Sequence, residues 1–199
     1  MTKTFLAKGK RGQVYTYKST IDGREVCVKE LNPDSDAENV IKNEARFLRL
    51  ANEHGIGPTL LKEEDDKVFM DFVHGERILD FFERANKTGI VKVIKDSLDQ
   101  ARKLDQIGVN KYELTNPYKH IIVSYEKPIM IDFERCKEVK KPKNVTQFVQ
   151  FLTSGKVKRI LKTKKIDLDT DELRVLAKKY KEKYNKKLFQ EIKEEISKT

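Results

Sequence analysis

Cysteine is scarce in this chain, with two, Cys27 and Cys136, among 199 residues. They form neither a CxxC pair nor a Cys/His set at zinc-ligand spacing, so a disulfide-stabilised scaffold and a zinc site are excluded. No run of about 18 apolar residues occurs, which argues against a membrane-spanning helix. Lys3 and Lys8 lie near the start without the apolar segment of a secretory signal, and we therefore expect a cytoplasmic protein.

Internal repeats and low-complexity tracts are also absent. Hydrophobic residues make up 38% and charged residues 37% of the chain. The apolar residues recur in short periodic groups along the whole length, which excludes collagen, mucin and long disordered polymers. The length is sufficient for one domain or two small lobes with a buried core.

Positive charge is in excess, and it is unevenly distributed. The chain has 42 Lys and Arg against 32 Asp and Glu, a net charge of +10. Residues 140–199 contain 18 basic and 8 acidic residues, whereas residues 1–139 contain 24 of each sign. A basic C-terminal region suits RNA, ribosomes or acidic proteins as partners. Solvated, lysine-rich helix faces explain the same excess equally well.

Strand patterns dominate the first part of the sequence. Short runs rich in β-branched and aromatic residues predict strands at residues 5–7, 13–17, 25–30, 59–62 and 68–73. Asp22-Gly23 is a hairpin turn signal between the second and third of these runs. A helix is predicted between the third and fourth, from a capping box of Ser35 and Glu38 to the stop signal at residues 55–58.

Helical patterns dominate the remainder. The predicted helices cover residues 90–107, 145–153, a short segment to Leu161, and 171 to near the end, and two strand-like runs lie at residues 120–123 and 128–133. Strands first and helices second indicate an α+β, two-lobed arrangement. We place the boundary near His74-Gly75, which gives domains at residues 1–73 and 74–199.

A glycine-bearing hairpin and a lysine strand are the first candidate site features. Gly9 and Gly12 would allow backbone N–H groups to approach phosphates, although most such hairpins are ordinary turns. In the strand Val26-Cys27-Val28-Lys29, side chains alternate between faces, so Cys27 and Lys29 lie on the same side. Lys29 could therefore reach phosphates under the hairpin, or it could be an ordinary edge-strand lysine.

Glu44 is a charged residue in an apolar helix face. The apolar arc around it consists of Ala37, Val40, Ile41, Ala45, Phe47, Leu48 and Ala51. A carboxylate that faces a core is costly unless it is paired, and Lys29 is its natural partner because the lysine strand directly precedes the helix. The alternatives are a surface arginine or a side chain that reaches solvent. Further on, Asp132 closes an apolar strand, where a carboxylate can hold a hard cation.

In this order the parts resemble a protein kinase, over about residues 5–152. The similarity is to the small atypical kinases of RIO and lipopolysaccharide-kinase type, and more narrowly to the short archaeal predicted serine/threonine protein kinases. It implies a two-lobed fold with an antiparallel sheet in the N-lobe and a reduced, helical C-lobe. Helical residues 144–152 follow Phe133 almost at once and no Ala-Pro-Glu occurs, so an activation segment is not expected.

The resemblance also implies a site for ATP with Mg²⁺, or with Mn²⁺ in its place. Gly9 and Gly12 would form the phosphate loop. Lys29 would hold the α- and β-phosphates and would be oriented by Glu44. Asp132 would bind the metal ion. The residues implied at the adenine ring are Val14 and Cys27 as its cover, Met70 as gatekeeper, and the backbone of Asp71 and Val73 at its edge.

Three residues depart from the kinase pattern. Glu113 stands where kinases have the catalytic Asp, and it would orient the acceptor hydroxyl. His120 stands where an Asn ligand to the metal is expected, although Mg²⁺ prefers oxygen. Glu134 replaces the Gly of Asp-Phe-Gly and adds a negative charge beside the metal site.

The expected function is therefore that of an atypical serine/threonine protein kinase. It would transfer the γ-phosphoryl group of Mg-ATP to a hydroxyl of another protein or of its own chain, with Lys29, Asp132 and Glu113 as the catalytic residues. Glu113, His120 and Glu134 favour an alternative, a nucleotide-binding pseudokinase or slow ATPase switch. The lysine-rich C-terminal region favours another, a basic RNA- or ribosome-associated protein.

Overall fold

The computed structural model describes residues 2–9, 12–18, 23–32 and 39–198. The chain divides into two compact units. One consists of Met1–His74 together with Met130–Cys136, and the other consists of Gly75–Ile129 together with Lys137–Thr199. The segment that carries Asp132 therefore packs with the N-terminal strands, although more than fifty residues of chain lie between them.

The first unit is built on a five-stranded antiparallel sheet. Its strands are β1 Thr2–Lys8, β2 Gly12–Lys18, β3 Glu25–Leu31, β4 Leu60–Glu64 and β5 Lys67–Asp71, and α1 Val40–Asn52 connects the third to the fourth. They are ordered β1-β2-β3-β5-β4. The mixed α+β class and the antiparallel sheet predicted from the sequence are thus confirmed, and β3 lies at the centre of the sheet.

Helix α1 buries the apolar arc expected from its sequence. Its buried residues are Val40, Ile41, Glu44, Ala45, Phe47, Leu48 and Ala51. Val28 of β3 and Val68 of β5 are also fully buried. Glu44 is the single charged residue in this buried set. The predicted capping box of Ser35 and Glu38, like Ala37, lies outside the described residues, and Asn39 precedes the first helical residue with φ 59°.

The loop after α1 is held by Asn52. Its amide donates to the carbonyl oxygens of Ile56 and Pro58, and its side-chain oxygen accepts from the N–H of Leu60. Gly55 and Gly57 both adopt positive φ in this loop, 69° and 84°. Only Gly57 is also packed tightly, since a Cβ there would lie 2.9 Å from Leu48 Cδ1 and 3.1 Å from Phe133 Cε2.

The second unit is mainly helical. Its helices are α2 Ile78–Arg84, α3 Lys87–Gln106, α4 Asn144–Leu152, α5 Gly155–Thr163, α6 Thr170–Lys183 and α7 Lys186–Ser197. Short strands complete it, in the sets β6 Glu76–Arg77, β8 Ile121–Ser124 and β9 Lys127–Met130, and β7 Val109–Asn110 with β10 Lys137–Glu138. Two 3-10 turns, Tyr112–Thr115 and Pro117–Lys119, lie between β7 and β8. No helix within the described ranges is long and apolar enough to cross a membrane.

Two elements differ from the sequence-based expectations. Strand β9 ends at Met130, earlier than the apolar run suggested, because Asp132 adopts a left-handed backbone with φ 66° that cannot continue a strand. The long C-terminal helical pattern is divided between α6 and α7. Tyr184 turns left-handed with φ 48°, and the Asn185 side chain accepts from the N–H of Leu188 to cap α7.

We predict that Gly57→Ala is more destabilising than Gly55→Ala. Both variants force alanine into a left-handed backbone, which costs about 1–2 kcal/mol. Gly55→Ala should cost no more than this backbone strain, because nothing lies within 4 Å of the added methyl group. Gly57→Ala also presses on Leu48 and Phe133, and overpacking adds about 1–3 kcal/mol. Urea unfolding of the two variants measures the difference, and equal losses would contradict this account of the loop.

Candidate functional site

The Lys29 ammonium contacts three carboxylates. Its Nζ lies 2.9 Å from Glu44 Oε2, 2.8 Å from Asp132 Oδ1 and 2.8 Å from Glu134 Oε2. All four residues belong to the first unit. The ion pair between Lys29 and Glu44 that the sequence predicted is present, and Asp132 joins it. Glu134, which the sequence flagged as a departure from the kinase pattern, takes the third place. We call these four residues the lysine cluster.

Glu44 uses both of its oxygens. While Oε2 contacts Lys29, Oε1 accepts a hydrogen bond of 2.9 Å from the backbone N–H of Phe133. The side chain is 1% exposed. Helix α1 therefore fixes the lysine of β3 and, at the same time, the backbone that carries Asp132. A buried carboxylate is tolerated here because both of its oxygens are satisfied by donors.

Asn43 holds the same segment from the neighbouring helix position. Its amide donates to the carbonyl oxygens of Glu134 and Cys136. Phe133, fully buried, anchors the segment in the core. Asn43 was not predicted from the sequence, because a polar residue in an amphipathic helix gives no indication that its amide binds a distant backbone.

Charge dominates the chemistry of the lysine cluster. Burial alone would lower the pKa of Lys29, but the negative charges of Glu44, Asp132 and Glu134 outweigh it and raise that pKa above its ordinary value. One ammonium faces three carboxyl groups, whose nearest oxygens lie within 4.8 Å of one another. With the carboxyls ionised the cluster is net negative, and an all-oxygen donor set of this kind suits a hard divalent cation such as Mg²⁺.

The glycine hairpin lies next to the stem of Lys29. The Gly9 N–H donates to Gly12 O over 2.8 Å. A Cβ on Gly12 would lie 3.1 Å from Glu30 O and 3.4 Å from Lys29 Cε. The glycine at position 12 thus allows the lysine stem to pass close to the backbone. Lys10 and Arg11, between the two glycines, lie outside the described residues.

The sheet register places four predicted site residues on one side. Val14 pairs with Lys29, and Cys27 pairs with Met70. Directly paired residues share a face, as do residues two apart in one strand, so these four side chains point the same way. Burial, the larger cause, together with the charge of Glu44 raises the pKa of the Cys27 thiol to about 11. The thiol therefore stays protonated at neutral pH and acts as a small, nearly apolar side chain.

The remaining residues predicted for the first unit lie at the end of β5. Asp71 is the last residue of that strand, and Val73 follows two residues later. The Asp71 carboxylate accepts from Arg24 Nε at 2.9 Å and from Arg24 Nη2 at 2.6 Å. The backbone N–H of Asp71 donates to Thr59 O. These contacts fix the end of the strand, while the assignment of its backbone to an adenine edge stays a prediction.

Glu113 and His120 belong to the second unit. Glu113 lies in the 3-10 turn Tyr112–Thr115, and its side chain is 6% exposed. Its Oε2 lies 3.6 Å from Nζ of Lys111, which is fully buried. His120 follows the turn Pro117–Lys119 and donates its N–H to Pro117 O. The catalytic role of Glu113 and the metal-binding role of His120 stay predictions.

A buried polar network fixes the loop that carries Glu113. Asn144, the first residue of α4, accepts from the N–H of Lys111 and donates to Val109 O. The Asp105 carboxylate in turn accepts from the backbone and the side chain of Asn144, and from the hydroxyl of Tyr180. None of these contacts was predicted from the sequence, since isolated polar residues at helix ends resemble ordinary caps.

Comparisons with known proteins support a fold class. No protein-family model matches the chain. The uncharacterized protein MJ1211 of Methanocaldococcus jannaschii is 29% identical over 116 residues, which are 56% of this chain and 98% of that protein. The solved structure of the autoinhibited serine kinase domain of the giant muscle protein titin matches with a TM-score of 0.56 and 17% identity. The match covers 68% of this chain and 45% of the titin chain, less than half of its length.

These comparisons define the protein as one with a kinase-like fold. The mixed α+β architecture with its antiparallel sheet and the similarity to a protein kinase domain agree with the resemblance seen in the sequence. At 17% identity, the similarity to the titin kinase domain shows the fold alone. The M. jannaschii relative is uncharacterized and therefore indicates no activity for this chain. The lysine cluster and the loop that carries Glu113 are therefore the observations that bear on the chemical activity of this protein.

We predict that Lys29→Met lowers the free energy of unfolding by about 3–5 kcal/mol at pH 8, because it removes the buried ammonium that three carboxylates contact. The loss should be complete at neutral pH and should shrink only as the pH rises above 10.5. The raised folded-state pKa of Lys29 keeps its contribution complete below that ordinary value, and the contribution is lost as the pH rises further.

Urea unfolding at several pH values measures both effects. Lys62→Met is the matched control, because Lys62 forms an ion pair with Glu64 in the same unit but is 64% exposed. An exposed pair of this kind contributes little, so the control should unfold like the wild type. A Lys29→Met variant as stable as Lys62→Met at pH 8 would contradict the proposed electrostatic role of the lysine.

Proposed function

We propose that this protein is an atypical, ATP-dependent serine/threonine protein kinase of the cytoplasm, of the RIO-like and archaeal kind that its motifs resemble. It would transfer the γ-phosphoryl group of ATP to a hydroxyl of another protein or of its own chain. The observation that supports the proposal best is the meeting of Lys29, Glu44 and Asp132 within a kinase-like fold. This arrangement supplies a fixed cation and oxygen ligands for a metal polyphosphate.

In this proposal Lys29 binds the α- and β-phosphates, and Glu44 keeps its amine in place. Gly9 and Gly12 form the phosphate loop, because glycines without side chains let the backbone come close to the phosphates. Val14, Cys27 and Met70, which share the sheet face of Lys29, take the adenine ring, with the backbone of Asp71 and Val73 at its edge. That face is formed by small and apolar side chains, which suits a planar base.

Mg²⁺ fits the oxygen donors of the lysine cluster. Asp132 is the principal ligand in the proposal, and Glu134 is a second oxygen donor close enough to share the ion. When bound, the ion neutralises the charge of the phosphates. The proposal keeps His120 as a further candidate ligand, but imidazole is a weaker donor to Mg²⁺ than a carboxylate is.

Glu113 orients the acceptor in this proposal. The acceptor oxygen bonds to the γ-phosphorus as the bond from that phosphorus to the β–γ bridging oxygen breaks, which leaves ADP. Glu113 accepts the hydroxyl proton. The Lys111 ammonium lies 3.6 Å from its carboxylate, and Asn144 holds the loop at the N–H of Lys111. Positioning and charge neutralisation account for most of the catalysis in reactions of this type.

A nucleotide-binding switch with little or no transfer is the second candidate. Two observations favour it. Glu134 contacts the same amine that must hold the phosphates, and the Glu113 side chain is 6% exposed, which limits its contact with an acceptor. In this case the chain would bind ATP and hydrolyse it slowly, as a pseudokinase or ATPase switch.

We predict that transfer and binding respond differently to three substitutions. Lys29→Met and Asp132→Asn should abolish the thermal stabilisation by Mg-ATP and the incorporation of label from γ-labelled ATP, because both remove charges that hold the metal polyphosphate. Glu113→Gln should keep the thermal stabilisation and lower transfer by about 100-fold or more, since general-base catalysis contributes about that factor. Incorporation into a generic protein substrate and into the chain itself is measured with Mg²⁺ and with Mn²⁺.

Asp96→Asn is the matched control, because Asp96 is an exposed carboxylate of the same unit as Glu113. It should behave as the wild type in both assays. Stabilisation by Mg-ATP without label in the wild type would favour the switch. The kinase proposal and the switch would both fail if the wild type showed neither stabilisation nor label.

We further predict that Glu134→Gln raises the affinity for ATP in the absence of divalent cations by about tenfold, because it removes one negative charge near Lys29. The gain should be smaller with Mg²⁺ present, where the metal already offsets that charge. Isothermal titration with and without EDTA measures both affinities. Glu63→Gln, at a more exposed carboxylate of the first unit, is the control and should leave both unchanged. A lower metal-free affinity in Glu134→Gln would contradict the prediction.

A further inference from the structure

The excess positive charge of the chain is confined to a short segment. Residues 139–166 contain nine Lys and Arg and no Asp or Glu, whereas residues 167–199 contain nine basic and eight acidic residues. Helices α6 and α7 are therefore nearly neutral. The excess charge therefore lies in the acid-free segment of residues 139–166, in which α5 is the most basic helix.

One side of α5 is uniformly cationic. Val157 and Leu161 are its buried residues. The basic residues of the helix project from its other sides, and we call them the basic α5 face: Lys156, Lys158, Arg159 and Lys162. Lys158 and Lys162 are one turn apart, about 6 Å along the axis, and Arg159 lies beside both.

Intramolecular pairing does not account for this charge. Within the described part of the chain, no residue of the basic α5 face forms an ion pair, while Lys193 of α7 pairs with Asp99 and Lys198, directly after that helix, pairs with Glu195. Like charges three and four residues apart lower helix stability. The fold thus gains no ion pair from the four cations, and a ligand outside the chain would explain them.

One further cation, Arg77, lies beside the ring that Lys156 contacts. The Lys156 ammonium lies 5.5 Å from the centroid of the Tyr118 ring, and the Arg77 guanidinium lies 5.2 Å from it. The Tyr118 hydroxyl donates to Asp80. The ring is therefore within cation–π range of both side chains and restrains them, which reduces the entropy lost when they bind an anion.

We propose that the basic α5 face binds the phosphate backbone of a nucleic acid without reading its sequence. A row of unpaired cations on one helix matches a line of phosphates, and such binding is driven by release of counterions. An acidic protein fits less well, because protein interfaces are centred on apolar and aromatic anchors that the four side chains lack. An anionic membrane fits less well because Val157 and Leu161 of α5 are buried and cannot insert between lipids. The proposal does not depend on phosphoryl transfer.

Binding of labelled RNA hairpins and DNA duplexes to the full chain, measured by fluorescence anisotropy at several salt concentrations, tests the proposal. Four phosphate contacts give a slope of log K against log salt of about −3 to −4. The double variant Lys158→Gln with Lys162→Gln should reduce that slope by about 1.5 to 2 and weaken binding at low salt by at least tenfold. The two probes distinguish RNA from DNA as the preferred source of the backbone.

The double variant Lys186→Gln with Lys187→Gln is the matched control. These lysines are exposed at the start of α7, and the variant has the same net charge as the other. It should bind nearly as the wild type does. Equal losses in both variants, no salt-dependent nucleic-acid binding, or tighter binding of poly-glutamate or anionic vesicles would overturn the proposal. Lys158→Gln with Lys162→Gln should keep the thermal stabilisation by Mg-ATP, which separates failure of this proposal from failure of the proposed kinase.

Discussion

A single ammonium inside the first unit satisfies three carboxylates, and much of that unit serves to keep it there. The groups attract one another only while the backbone holds them in contact, because each carboxylate has given up part of its hydration. Glu44 links the lysine of β3 to the N–H of Phe133, and Asn43 holds the following carbonyls. Gly12 and Gly57 leave room for Lys29 and Phe133. Interactions far apart in sequence thus act on one charge centre.

The four residues of the lysine cluster include three carboxylates and one ammonium, and this imbalance of charge affects which ligands they attract. A polyphosphate that approached three carboxylates and one ammonium would be repelled, whereas a divalent cation would be attracted. In the proposed function, such a site would favour a metal complex of a polyphosphate over the free anion. Phosphoryl transfer requires little covalent chemistry of the protein, so this charge arrangement would supply a large part of what the proposed kinase needs.

The parts of the site that could be predicted from sequence are those with a periodic signature. Glu44 was recognisable because a charge interrupted an apolar helix face, and Lys29 because strand alternation placed it on the side of Cys27. Asn43 and Asn144 were missed, because side chains that bind distant backbone groups follow no period. The end of β9 and the break at Tyr184 depend on single left-handed residues, which a pattern averaged over a segment does not detect.

Charge illustrates the same limit on a larger scale. The net charge of residues 1–139 is zero, yet this stretch holds the net-negative lysine cluster. The last 60 residues are strongly basic, but their helices α6 and α7 are balanced and the excess is concentrated before them. Composition states how much charge a segment has, whereas burial and pairing decide where it acts. Charge that collects at one place in the fold attracts a ligand of opposite sign. In this chain the four residues of the lysine cluster carry one sign in excess, and the basic α5 face carries the other.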